Sequence, residues 1–254
     1  MQAGPAPLPA GFSGEARACA YFSDVKDPLH LVLLEIERGK RLRVSSGGQH
    51  RTMFVWEGGI EGNGVPLDKG SSLIAEKGTT VEIVGVEPLS AILVFSAGRT
   101  PCDARPGGHL HLLPAAAVPR SDALGGASNL GGAMHANAAC PGCEVWLHEN
   151  AFFTGTDKRA DSDAGVHSHT EDEIIFVTDG EIRLGARLFP RGTAVAISAE
   201  TLYSFTAGPG GMRFVNFRAA TPGDIRFANG VTMSETEYWA DRLPVPRYVE
   251  SRPA

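Results

Sequence analysis

The sequence predicts an all-β chain made of two copies of one small barrel. Three observations carry that prediction: short apolar runs, the turn residues that close them, and an echo between the two halves. Glycine (31) and proline (17) are frequent and leave no long stretch with the 3.6-residue period of a helix. In the first half the runs are LHLVLLEIERG, RTMFVWEGG, SSLIAEKG, TTVEIVG and SAILVFSAG. In the second they are EVWLHENAFFTG, DEIIFVTDG, EIRLGARLFPRG, TAVAISA, YSFTAGPGG and MRFVNFRA. Each is rich in Val, Ile, Phe and Thr and is closed by Gly, Asp or Pro, as strands of a sandwich or barrel are.

The echo is between FVWEGGIEGNGVPLDKGSSLIAEKGTTVEIVG and IFVTDGEIRLGARLFPRGTAVAISAETLYSFTAG, which share the order strand, Gly turn, strand, Gly turn, strand. Residues 1–14 read as an N-terminal arm, 15–103 as the first barrel and 141–220 as the second. Residues 104–140, rich in Gly, Ala and Pro, read as a surface linker. Residues 221–254 read as a helix and an extended tail, with Ser234 and Glu237 forming a capping box at the helix start.

Composition narrows the function. The chain of 254 residues is 43% hydrophobic and 20% charged, enough to bury a real core. Its net charge of −6 and lack of a Lys/Arg run exclude nucleic acid and anionic membrane surfaces as main partners. No apolar run approaches the roughly 18 residues of a membrane span. The opening MQAGPAPLPAGFSGEARA has neither the basic nor the apolar region of a signal peptide, so a cytoplasmic location is expected. Of the four cysteines, Cys140 and Cys143 form CPGC. It lacks the strand-to-helix context of a redox pair and the second pair of a zinc site, and reads as two ordinary thiols.

The chemistry concentrates in GVHSHTEDEIIFVTDG, residues 165–180. On a strand His167 and His169 project from one face, and Glu173 keeps their parity on the adjoining strand after a turn. Two imidazoles and a carboxylate suit one divalent transition metal, Fe(II), Mn, Ni or Zn, with positions left open for chemistry. His148, in EVWLHEN, reads as a packing residue, with a substitute ligand as the alternative.

His167, His169, Glu173 and Gly180, followed by Pro190, Arg191 and Gly192, resemble the paired motifs of the cupin superfamily, and of its two-barrel members. The resemblance implies tandem double-stranded β-helix (jelly-roll) barrels with the metal motif in the C-terminal one. Tyr203 stands where the family's fourth ligand, a His, is usual. It is read as a catalytic proton donor or substrate contact beside the metal, with ligation and mere space-filling as alternatives. Aligning Gly58 with Gly180 puts Arg51, Gly47 and Ser45 at the ligand positions of the first barrel, which is expected to hold no metal and to be structural. His109 and His111 repeat the HxH spacing without the Glu and Gly, and read as linker residues.

The resemblance implies a metal-dependent enzyme acting on a small organic acid or aromatic substrate, dioxygenase chemistry first, working as a homodimer. A non-oxidative isomerase or lyase and a non-catalytic small-molecule binder are the alternatives. Arg183, Arg187, Arg213 and Arg218 are the candidate anchors for a substrate carboxylate.

Overall fold

The computed structural model describes residues 4–98, 107–126, 129–138, 144–153 and 165–251. Cys102, Cys140 and Cys143 lie outside them. The described residues divide into two compact units: 4–118 with 144 and 246–251, and 119–138 with 145–245. Each is a pair of antiparallel sheets, and no described helix is long and apolar enough to cross a membrane.

In the first unit eight strands pair in the order Gly4–Ala6, Arg17–Phe22, Leu29–Glu37, Leu89–Ala97, Arg51–Glu57, Ser72–Ala75, Leu110–Leu113 and Val249–Ser251. The facing sheet runs Phe12–Gly14, Arg41–Ser45, Thr80–Gly85, Gly59–Gly62 and Val65–Asp68. Alternate residues point inward, so that Val32, Leu34 and Ile36 meet Met53, Val55, Ile83 and Ile92 in one core. The N-terminal arm belongs to this unit's own sheets. Gly4–Ala6 pairs with Ala18–Ala20 and Phe12–Gly14 with Leu42–Val44.

In the second unit the larger sheet runs Arg120–Ser121, Leu130–Asn137, Trp146–Phe152, Thr206–Arg218, Glu173–Leu184 and Arg187–Pro190, with Ala194–Ile197 also on Glu173–Leu184. His167–His169, Asp224–Phe227 and Thr232–Ser234 form the smaller one. The echo between the halves is structural. Gly58 (φ 71°) and Gly180 (φ 65°) hold the same left-handed bend. A Cβ at Gly58 would come within 2.7 Å of the Leu89 carbonyl oxygen, and one at Gly180 would strike that of Gly211.

The linker reading of 104–140 is corrected. Leu110–Leu113 is buried throughout and pairs with Ser72–Ala75, and Leu130–Asn137 is buried at all but its ends and pairs with Trp146–Phe152. Glycine here serves packing, because a Cβ on Gly132 would stand 3.0 Å from Trp239 Cζ3 and 3.1 Å from Leu124 Cδ2. Gly132→Val is expected to cost about 1–3 kcal/mol by overpacking Trp239, read as a lower denaturation midpoint; an unchanged midpoint contradicts this packing. His111 is likewise no linker residue: it is buried, with Nε2 2.7 Å from Glu76 Oε1.

The boundary at residue 220 is corrected too. The strands Asp224–Phe227 and Thr232–Ser234 and the helix Glu235–Ala240 belong to the second unit. Ser234 caps this helix as expected, its Oγ accepting from the Glu237 N–H at 3.3 Å. The buried residues of the helix, Glu235 and Trp239, face the barrel.

Candidate active site

Strand register builds the site. Trp146 lies opposite Arg218, His148 opposite Asn216 and Asn150 opposite Phe214. Asn216 and Phe214 in turn lie opposite Ile175 and Val177. With side chains alternating in and out, one inner face passes from a polar end at Glu173 and Arg218 to an apolar end at Phe152 and Phe214. The strand His167–His169 closes the opposite wall. Tyr203 joins it by a two-way backbone bridge, His167 N to Tyr203 O at 3.0 Å and Tyr203 N to His167 O at 2.9 Å. A cavity of about 420 Å³ lies between, and His148, Asn150, His167, His169, Tyr203, Asn216, Arg218 and Glu235 supply most of its polar lining. His167, His169 and Tyr203 are therefore neighbours on one wall. The imidazole rings sit 5.0 Å apart at 90°, and the Tyr203 ring lies 4.7 Å from that of His167.

A buried ionic chain links this lining to Glu173 behind it. The Tyr203 hydroxyl donates to Glu173 Oε1. Glu173 Oε2 accepts from Asn216 Nδ2 at 2.6 Å and from Arg218 Nη2 at 3.0 Å. Arg218 Nη1 donates to Glu235 Oε2, and His169 Nδ1 lies 3.0 Å from that same oxygen. Burial favours the neutral carboxylic acids, yet Arg218, His169 and the donated hydrogen bonds outweigh it and hold Glu173 and Glu235 below their ordinary range. Burial opposes the Arg218 charge, but Glu235 and Glu173 keep it protonated. Burial and the neighbouring Glu173 push the Tyr203 phenol well above its ordinary value, so it stays neutral. His148 is brought down to about 3, first by burial, and remains a neutral imidazole. The Trp146 Nε1–H donates to its Nδ1 at 2.9 Å, which puts the remaining proton on Nε2.

The two histidines suit a divalent metal. His167 Nδ1 lies 2.9 Å from the Gly165 carbonyl oxygen, and His169 Nδ1 lies 3.0 Å from Glu235 Oε2, an ion-pair distance out of hydrogen-bond alignment, so Nε2 is the atom each would turn to a metal. Glu173 does not fit. Both its oxygens are taken, it stands behind the cavity lining, and the Arg218 guanidinium already supplies its positive partner. Among the described residues no three His, Cys, Asp or Glu side chains are grouped to hold a metal ion. The expected set of His167, His169 and Glu173 is thus not assembled. Arg218 also changes role: paired with two carboxylates, it is not free to anchor a substrate acid. Arg183, Arg187 and Arg213 do not line the cavity.

Sequence reasoning missed Asn216, Glu235 and the part played by His148. The one local signal was Trp146 and His148 two apart on a strand, a spacing that lets an indole N–H reach an imidazole.

No family model matches the chain, and no curated protein matches it in sequence. Solved structures match in fold. Ylba from E. coli aligns with 85% of this chain and 86% of its own, with a TM-score of 0.63 at 16% identity. The formate complex of Lactobacillus farciminis oxalate decarboxylase aligns with 94% and 88%, with a TM-score of 0.65 at 9% identity. The 7S globulin of Momordica charantia aligns with 92% and 85%, with a TM-score of 0.59 at 11% identity. At these identities the likeness shows the fold alone: two cupin-type jelly-roll units. A decarboxylase and a globulin share it, so function has to be argued from the site.

Proposed function

We propose that the second barrel is an enzyme that moves a proton on a small carbonyl compound with an apolar or aromatic body, an isomerase or lyase. The observation that carries this reading is the His169–Glu235 pair facing the same cavity as Tyr203 and the neutral His148. With its Nδ1 proton toward Glu235, His169 presents the Nε2 lone pair as a general base, and the buried carboxylate stabilises the imidazolium that forms. The proton leaves a carbon next to the carbonyl, the C–H electron pair forms a C=C bond, and the carbonyl π pair moves onto the oxygen. The Nε2–H of His148 hydrogen-bonds that oxygen as a neutral donor, a role its lowered pKa preserves. The same proton returns from His169 to a neighbouring atom, so no oxidant is consumed. Phe152, Phe205, Phe214 and Phe227 receive the apolar body, and Asn216 Oδ1, buried without a partner, accepts from a substrate hydroxyl or amide.

Tyr203 serves in this reading as a substrate contact. Its proton is committed to Glu173, which leaves its oxygen as an acceptor. Tyr203→Phe is expected to raise KM about tenfold, the worth of one hydrogen bond, with a smaller change in kcat. Deuterium wash-in from D2O, followed by proton NMR over a panel of small keto and hydroxy compounds, supplies the assay. A loss confined to kcat would assign Tyr203 to proton transfer, and unchanged kinetics would make it filler.

A second reading, metal-dependent oxygenation, is favoured by one observation: both imidazoles line the same cavity, with their rings 5.0 Å apart. It requires Glu173 to give up Arg218. Oxygen consumption after Fe(II) loading separates it from the first.

A further inference from the structure

Arg51 opens the strand Arg51–Glu57 of the first barrel as Glu173 opens its counterpart in the second. Its parity is that of Met53 and Val55, which are core residues, so it points inward. The ladders set what surrounds it. Val94 lies opposite both Val32 and Met53. One layer outward Ser96 lies opposite His30, and Arg51 Nη1 donates to Ser96 Oγ at 2.9 Å. An apolar floor of Val32 and Val94 thus lies under a polar rim of Arg51, Ser96 and His30. A cavity of about 420 Å³ opens over both, walled by residues 6–10 of the N-terminal segment.

Among the described residues the guanidinium lacks an anion. Arg51 Nη2 reaches only the Ala10 carbonyl oxygen, at 3.4 Å, and its Nε is buried with no hydrogen-bond partner. The Phe12 ring, 5.7 Å from the guanidinium carbon, gives weak compensation. Burial alone shifts its pKa, downward, with no acidic side chain acting to raise it. Arg218, in the other barrel, has two carboxylates for the same charge. A half-buried cation without a counter-charge carries a desolvation cost, and a ligand that brings one negative charge relieves it.

We propose that the first barrel is a binding site for a small monocarboxylate, its carboxylate on Arg51 and its short apolar tail on Val32 and Val94. One guanidinium, with the Ser96 hydroxyl and the Gln49 side-chain amide beside it on the cavity wall, matches a single negative charge. A phosphate dianion would leave charge uncompensated over an apolar floor. The barrel expected to be structural is then a ligand site independent of the C-terminal cavity.

Calorimetric titration of the full chain with isobutyrate and benzoate tests this, with isobutyramide, benzamide and inorganic phosphate as comparators. Saturable carboxylate binding is expected, weakened about tenfold or more in Arg51→Gln, nearly retained in Arg51→Lys and untouched by His169→Ala. Absence of saturable binding, equal binding of the amides or tighter binding of phosphate would overturn the proposal. So would loss of binding in His169→Ala with retention in Arg51→Gln. Should Arg51→Gln fail to fold, NMR contacts between the isobutyrate methyls and the wild-type protein decide. Contacts to Val32 and Val94 support the site, and contacts confined to the second barrel contradict it.

Discussion

Arg218→Met is expected to destabilise the second barrel by about 3–5 kcal/mol, because it strips two buried carboxylates of the guanidinium they share. Arg218 is fully buried, and Glu173 and Glu235 are nearly so. Neither acid is open to bulk solvent. The fall in melting temperature is expected to be roughly 10 °C or more. The pH dependence makes the test specific. In the parent both carboxylates are held below their unfolded value of about 4.3, so their stabilisation is complete above that value and is lost as pH falls through the folded values. In the variant the same acids, buried without a counter-charge, bind protons more readily folded than unfolded. Its stability should therefore rise as the solution is acidified from pH 8 toward about pH 5, opposite to the parent at lower pH. Denaturant midpoints across that range check this. A variant within about 1 kcal/mol of the parent, with the parent's slope, would mean the ionic chain is not organising the barrel.

The largest expected effect on turnover is that of Glu235→Gln. The amide keeps the volume but can offer its N–H₂ to His169 Nδ1, which moves the imidazole proton to Nε2 and removes the base from the cavity. The charge that stabilises the imidazolium is lost as well. Together these are expected to lower kcat about 10²- to 10⁴-fold, the usual span for losing a positioned acid or base. The wash-in assay, with near-UV circular dichroism to confirm packing, reads the result. Retained turnover in a folded variant would remove His169 from the base role.

What the sequence made legible was local. The HxH pair, the turn and Gly180 sit within sixteen residues, where strand parity fixes directions without knowledge of the fold. Tyr203 was placed by its distance from Pro190 and Gly192, and the backbone bridge to His167 puts it where that spacing implied. Ser234 and Glu237 marked the helix start for the same reason. What parity could not supply was the partner of Glu173. Arg218 lies 45 residues further along, and only register across the strand Thr206–Arg218 brings it inward. Glu235 comes from a helix that followed the assigned end of the barrel. In the 104–140 segment, composition misled for a physical reason. Gly and Ala mark flexible chain in a linker, but beside a large ring such as Trp239 they mark close packing, and the two look alike in one dimension.

The account rests on Glu173 being held by Arg218 and not spent on a metal. Elemental analysis after chelator dialysis and anaerobic reloading with Fe(II), Mn, Ni or Zn tests that directly, comparing the parent with Glu173→Gln. The account predicts metal well below one ion per chain in both proteins, with proton exchange in the parent surviving the chelator. One ion per chain in the parent, lost in Glu173→Gln together with activity, would contradict it.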